Sequence, residues 1–208
     1  MQAPPPEVQS IVDKSVKRFH AHSAELLAAF LSEVLHWNRA LGLVSRKDPL
    51  SACERLLFES LELAHELGLE HGRIADIGSG AGFPGIVWAA SFPRVEVTMI
   101  ERRERRALFL ERTCRTLPVE NAAAVTIDAQ DAARHEEFQH AFDLAVTMAV
   151  GDPSTMAPAV EALLAPNGRF ASTIPATTPA APRIGAALQL ERRVEGEFGC
   201  YAIYRRSA

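Results

Sequence analysis

The seven residues Asp76-Ile77-Gly78-Ser79-Gly80-Ala81-Gly82 constrain the fold more than any other part of the chain. The run Arg73-Ile74-Ala75 before them suits a short buried strand, and Pro84 to Phe92 behind them suits a helix with proline in its first turn. The glycines therefore mark a strand-to-helix turn. There they permit positive φ and close approach of a ligand to the backbone, while the helix start offers unpaired N–H groups. The next apolar run, Val95-Glu96-Val97-Thr98-Met99-Ile100, closes on Glu101, and an acidic residue at the end of that strand can accept both hydroxyls of a ribose. A nucleoside cofactor is implied.

Two cofactors compete for the pattern, because Gly80-Ala81-Gly82-Phe83-Pro84-Gly85 also satisfies the dinucleotide signature G-x-G-x-x-G. In a dinucleotide site the glycines begin almost directly off the strand, so that the helix start meets a pyrophosphate. Here Asp76 comes first. A carboxylate repels a pyrophosphate but suits the positively charged amino-acid end of S-adenosylmethionine, which NAD lacks. The reading favours a methyltransferase over a dehydrogenase. A turn with no ligand is disfavoured, since three alternating glycines cost about 1 kcal/mol each in chain entropy.

At 208 residues and 48% hydrophobic, the chain can bury a sizeable core. Its net charge of -4 argues against a protein that binds nucleic acid through overall charge, so any RNA contact must be local. Cys53, Cys114 and Cys200 are odd in number and widely spaced, which fits a reducing cytoplasm and suggests neither disulfides nor a metal cluster. His20 and His22 fall on different sides of a helix, and no metal is expected. Neither a signal peptide nor a membrane span is legible.

Residues 1–69 read as a helical extension: Leu26, Leu27, Phe30, Leu31, Val34 and Leu35 recur at helical spacing, and Leu56, Leu57, Leu61, Leu63 and Leu67 do so after the break at Asp48-Pro49. Residues 70–208 alternate strand and helix, as in an α/β doubly wound, mostly parallel seven-stranded sheet of Rossmann-like type. Strands are expected near 73–78, 95–101, 123–127, 142–150 and 168–174, with helices at 84–92, 103–117, 130–138 and 153–164. Residues 190–197 and 200–205 suit an antiparallel hairpin, and 174–182 a loop.

The residues resemble the bacterial small-subunit (16S) ribosomal RNA guanine-N7 methyltransferases, the RsmG or glucose-inhibited division protein B family. The likeness lies in Trp37-Asn38-Arg39, Leu43-Val44-Ser45-Arg46-Lys47-Asp48-Pro49, the glycine loop extended through Phe83-Pro84-Gly85, and Arg105-Arg106 followed by Phe109-Leu110. It implies a class I methyltransferase fold and S-adenosylmethionine as cofactor. Cofactor contacts are expected from Asp76, Gly78, Ser79, Gly80, Gly82, Phe83, Glu101, Arg102, Ala129, Gln130 and Met148. Substrate contacts are expected from Arg103, Arg105, Arg106 and Asp152. The implied partner is ribosomal RNA or the small subunit, met by a monomer.

The chain departs from that pattern mainly on the substrate side. The family usually has Ser-Arg-Ala where this chain has Thr147-Met148-Ala149, and Lys-Gly near Thr173-Ile174-Pro175. Its leader asparagine is Gly42 here, its histidine is missing from Arg55 to Ser60, and its usual glutamate is Gln130. Guanine N7 carries a lone pair and no proton, so displacement on a sulfonium methyl needs alignment rather than a base, and no catalytic residue is named. Asp152 serves either to orient an acceptor or to cap the helix at Pro153. The arginines from Arg102 to Arg115 suit either intrahelical ion pairs with Glu104 and Glu111 or contacts to phosphate. Trp37 and Trp88 read as core. A small-molecule or protein acceptor, or cofactor binding without catalysis, are the alternatives.

Overall fold

A computed structural model describes residues 3–20, 22–148, 153–178 and 181–207. Three helices lead: α1 (Pro6–Phe19), α2 (Ala24–Leu41) and α3 (Pro49–Leu67). The Asp48-Pro49 break opens α3 as its residue types dictate, with the Asp48 carboxylate accepting from Ser51 N–H at 3.0 Å and proline at the first position. Then follow β1 (Gly72–Ile77), α4 (Gly85–Ser91), β2 (Val95–Glu101), α5 (Glu104–Thr116), β3 (Ala122–Thr126), α6 (Ala129–Ala132) and β4 (Phe142–Thr147). A 3-10 turn (Pro153–Met156), α7 (Ala157–Leu163), β5 (Leu164–Ile174), β6 (Leu188–Glu195) and β7 (Cys200–Arg206) complete the chain.

The seven strands form one sheet in the order β3-β2-β1-β4-β5-β7-β6. Pairs from β3 to β5 are parallel, and β7 runs antiparallel to both β5 and β6. This is the doubly wound sheet, closed by a hairpin, that the alternating pattern predicts. Strand β1 lies between β2 and β4, with Asp76 opposite Met99 on one side and Val146 on the other. The chain reverses direction across the sheet at that point, so the glycine loop emerges where open α/β sheets collect ligands.

Some boundaries differ from the sequence expectation. The helix expected at 130–138 is a single turn, after which the chain tightens into three-residue turns, such as Phe138 N–H to His135 carbonyl at 3.0 Å. Those turns return Phe138 to the core beside Phe142, with ring centroids 6.1 Å apart. The segment 153–163 begins as a 3-10 turn because Pro158 restarts the helix in its first turn. Strand β5 starts at Leu164, directly after α7, and a register shift between Phe142 and Leu144 absorbs the extra residues. Residues 149–152, and with them Asp152, lie outside the described residues.

One apolar cluster covers the sheet face under α1 to α5 and includes Leu27, Phe30, Leu57, Trp88 and Met99; a second, with Phe142, Val160 and Phe170, covers the other face under α7. Trp88 is fully buried, and its indole N–H donates to the Ser60 carbonyl at 2.8 Å, as a core tryptophan requires. Among the described residues no helix is long and apolar enough to cross a membrane.

Glu62 of α3 is buried, an uncommon fate for a carboxylate unless its oxygens are satisfied. It accepts N–H groups from Glu197 at 2.7 Å, Phe198 at 3.0 Å and Gly199 at 3.1 Å, and the Tyr201 hydroxyl at 2.8 Å. One side chain of the leading helices thus closes the turn between β6 and β7. Glu62→Ala strands three backbone donors and is expected to cost about 3 kcal/mol or more in urea unfolding, against about 1 kcal/mol for Tyr201→Phe, which removes one donor. Equal losses for the two variants would mean the turn holds without the carboxylate.

Candidate functional site

A cleft of about 500 Å³ opens at the carboxyl ends of β1, β2 and β3. Its walls are Ile77 and Gly78 from the end of β1, Ile100 and Glu101 from β2, Arg102, Arg103 and Arg106 at the start of α5, Ile127 to Gln130 after β3, and Thr155 and Met156. Each strand thus delivers one apolar side chain near its end, Ile77, Ile100 or Ile127, and polar groups follow in the loops. Flat apolar walls with a polar rim suit a ligand that pairs an aromatic ring with hydroxyls.

Glu101 is buried at the rim, and both of its oxygens are fixed by backbone donors: Gly80 N–H at 3.0 Å on one and Arg103 N–H at 2.8 Å on the other. An ionised carboxylate has about four acceptor positions, so two remain for a ligand. The glycine loop is held from several sides. Gly78 has φ of 74° and donates to the Ile100 carbonyl at 2.8 Å, which presses the loop against β2. Gly82 has φ of 97°, and a Cβ there would meet Ile86 Cδ1 at 2.8 Å and Phe30 Cε2 at 3.1 Å. No side chain fits that position.

Asp76 lies beneath the loop, fully enclosed, and accepts Gly85 N–H at 3.1 Å, so its carboxylate fastens the start of α4. Desolvation is the main influence on it and pushes its pKa up to about 7; Ser79 and Gly85 pull it down, and Glu101 adds to the rise. Ser79 Oγ donates to the Asp76 carbonyl at 2.8 Å. Phe83 is buried against Phe30, with ring centroids 5.0 Å apart. Asp76, Ser79, Gly80, Gly82 and Phe83 thus shape the loop, whereas Gly78, Glu101, Arg102, Arg103, Arg106, Ala129 and Gln130 line the cleft itself. Met148 is not among the residues lining the cleft. It is buried, with Ser60 Oγ 3.8 Å from its sulfur.

The intrahelical ion pairs considered for α5 are not formed among the described residues. Arg112 instead reaches Glu33 of α2 at 2.7 Å and lies over the Trp37 ring, while Arg102 is 3.9 Å from Asp128. Arg106 donates to the Gly42 carbonyl at 2.7 Å, which attaches α5 to the end of α2. Arg103 and Arg105 are exposed. No group of three or more His, Cys, Asp or Glu side chains is placed to hold a metal among the described residues.

Sequence reasoning missed Ile127, Asp128, Thr155 and Met156. Asp128 was findable, since aspartate just before a helical turn is a common cap, and here it accepts Gln130 N–H at 3.0 Å. The strand end at 147–152, expected from the sequence to position the reactants, begins at Thr147. Among the described residues its hydroxyl, buried at the end of β4, has no hydrogen-bond partner, and continuing the β1/β4 register sets it beside Ile77 of the cleft. An orphaned buried hydroxyl is uncommon and points to a missing partner. With the spare acceptor positions on Glu101 and the three isoleucines, the donor set fits S-adenosylmethionine.

Burial of Asp76 has a measurable consequence. Folding raises its pKa from the ordinary 3.8 to about 7, so between those values the folded chain holds more protons than the unfolded one. Stability from this group therefore falls as pH rises through the window. Asp76→Asn keeps an acceptor for Gly85 N–H and removes the titration. Urea unfolding at pH 5 and pH 8 is expected to show a smaller difference in the variant than in the parent. An undiminished difference would assign the dependence to other groups.

A family model described as GidB, rRNA small subunit methyltransferase G, matches residues 23–173. The chain is 34% identical over 154 residues to the ribosomal RNA small subunit methyltransferase G of Halorhodospira halophila, a match covering 71% of this chain and 68% of that one. It is 30% identical over 157 residues to the protein of the same name from Roseiflexus castenholzii, covering 76% and 64%. The matched stretch thus spans about two-thirds of those relatives. Among solved structures, an S-adenosylmethionine-dependent methyltransferase from Aquifex aeolicus superposes with a TM-score of 0.58 at 14% identity, covering 86% of this chain and 98% of that one. An RNA methyltransferase from Salinibacter ruber in complex with S-adenosyl-L-homocysteine gives 0.53 at 16% identity, covering 73% and 90%. At such identities the likeness is one of fold.

Proposed function

The chain belongs to the GidB family of rRNA small subunit methyltransferase G proteins, and from that membership we propose that it transfers a methyl group from S-adenosylmethionine to N7 of a guanine in small-subunit ribosomal RNA. The observation that carries the cofactor assignment is Glu101, held by two backbone N–H groups at the rim of a cleft on the carboxyl edge of the sheet. Glu101 would take the ribose hydroxyls, and Ile100 and Ile127 would bracket the adenine, with Ala129 and Gln130 at its edge. Gly78 and the Thr147 hydroxyl would face the amino-acid end.

S-adenosylmethionine supplies, when bound, a methyl group on a positively charged sulfur. The chain's own residues hold the two reactants in line, because guanine N7 offers a lone pair with no proton to remove. That task needs shape and charge, and no acid or base. Arg102, Arg103, Arg105 and Arg106 bring positive charge beside the cleft, where phosphates of an RNA acceptor would be met. Residues 1–69 are read as the extension that carries substrate-side surface and 70–208 as the methyltransferase domain.

A methyltransferase with a different acceptor is the second reading, favoured by Met148, which is buried and uncharged where the resembled pattern places arginine. Incubation with radiolabelled S-adenosylmethionine and undermethylated small subunits, naked ribosomal RNA or metabolites separates the two. Label in the small-subunit RNA, released by cleavage at 7-methylguanine, supports the proposal; label in metabolites alone supports the second reading. Glu101→Gln is expected to weaken S-adenosylhomocysteine binding at least tenfold by calorimetry, since hydrogen bonds to a charged acceptor contribute about 1.5 to 3 kcal/mol each. NAD is expected not to bind. An unchanged dissociation constant would place the ribose elsewhere.

A further inference from the structure

We propose that the loop between α2 and α3, through Arg46 and Lys47, forms one bank of a phosphate-binding groove whose other bank is the start of α5, and that the RNA backbone crosses the cleft rim between them. The proposal rests on the RNA reading above and adds a surface from the leading helices to it.

The two banks are brought together at Gly42. Its carbonyl accepts Arg106 Nη2 at 2.7 Å, while a Cβ built on it would lie 3.7 Å from Arg46 Nη2. Two guanidinium groups from distant parts of the sequence therefore flank one glycine. Arg106 also lines the cleft, so Gly42 places Arg46 near a residue of the candidate cofactor site. Nothing local in sequence requires this. The Asp48 carboxylate, next to Lys47, is engaged with Ser51 N–H at 3.0 Å.

Several arginines elsewhere on the chain are paired with carboxylates. Ion pairs tie Arg18 to Glu197, Arg55 to Glu59, Arg94 to Glu70, and Arg205 to Glu191. Among the described residues no carboxylate pairs with Arg46, Lys47, Arg103 or Arg105, all of them exposed. In a chain of net charge -4, a rim of free cations beside the cleft suits a polyanion. Both banks carry guanidinium groups, which bind phosphate oxygens through paired N–H donors.

Arg46→Glu with Lys47→Glu tests the groove. Both side chains are exposed and unpaired, so an unchanged melting temperature is expected. A control variant, Lys17→Glu with Arg94→Glu, makes the same change in net charge away from the groove, since Arg94 precedes β2 at the opposite edge of the sheet. Binding to undermethylated small subunits is measured against salt concentration for parent and both variants. The groove predicts at least a tenfold loss of affinity at moderate salt for the Arg46/Lys47 variant, with its log–log salt slope reduced by about one to two units. The control should keep the parent slope, and S-adenosylhomocysteine affinity should be the same in all three. A variant that binds and methylates subunits as the parent does, or a control that loses as much slope, overturns the groove and leaves the RNA reading standing. A parent that neither binds nor methylates subunits overturns both.

Discussion

Two backbone N–H groups, from Gly80 and Arg103, converge on the carboxylate of Glu101, and the carboxyl edge of the sheet is organised around that point. The loop after β1 and the loop after β2 would otherwise be independent. A buried carboxylate at the end of β2 fixes both, because each hydrogen bond to a charged acceptor stabilises by about 1.5 to 3 kcal/mol and leaving the charge unpaired would cost more. Asp76 does the same one layer down, holding the start of α4 through Gly85 N–H. The glycine loop is thereby clamped between two carboxylates before any ligand arrives. Preorganisation of this kind lowers the entropy that binding must overcome.

The leading helices are part of the same construction. Phe30 of α2 packs on Phe83 and closes over Gly82, Ser60 of α3 receives the Trp88 indole, and Glu62 closes the β6–β7 turn. Removing these helices would expose the sheet face that holds Leu27, Leu57 and Met99 in one cluster. Their packing also fixes the position of the α2–α3 loop relative to α5. A surface formed across that junction keeps its geometry only while the helices stay docked, so substrate-side shape and fold stability are coupled through Arg106 and Gly42.

What could be read from the sequence was what depends on near neighbours. The Gly78 to Gly82 loop, Glu101 at a strand end and the Phe198-Gly199 turn each announce themselves within a few residues, and the alternation of strand and helix orders the sheet. The short α6 was overcalled because residues 133 to 138 are adequate helix formers, and burial of Phe138 beside Phe142 outweighs that preference. Glu62 was not legible at all. Its four donors lie some 135 to 139 positions away, and nothing in Leu61-Glu62-Leu63 distinguishes a buried carboxylate from one on a solvated helix. At Thr147 the strand end was legible as a positioning element, but the burial of its hydroxyl was not, because that depends on the folded sheet.

The substrate side departs from the resembled pattern at a strand end and keeps its cations on the rim beside the leading helices. Where the resembled pattern puts arginine, Met148 sits buried against Ser60 and brings no charge to the end of β4. Where it puts asparagine in the leader, Gly42 keeps the left-handed turn, with φ of 59°, that ends α2. Asparagine could hold that backbone as well, so the turn alone does not ask for glycine. Its side chain would, however, extend toward Arg46 Nη2, which already lies 3.7 Å from the Cβ position. Removing the amide leaves that space to Arg46 above a carbonyl that Arg106 holds from the other side. With no cation at Met148, the positive charge beside the cleft is that of the rim formed with the leading helices, where Arg106 and Arg46 meet at Gly42.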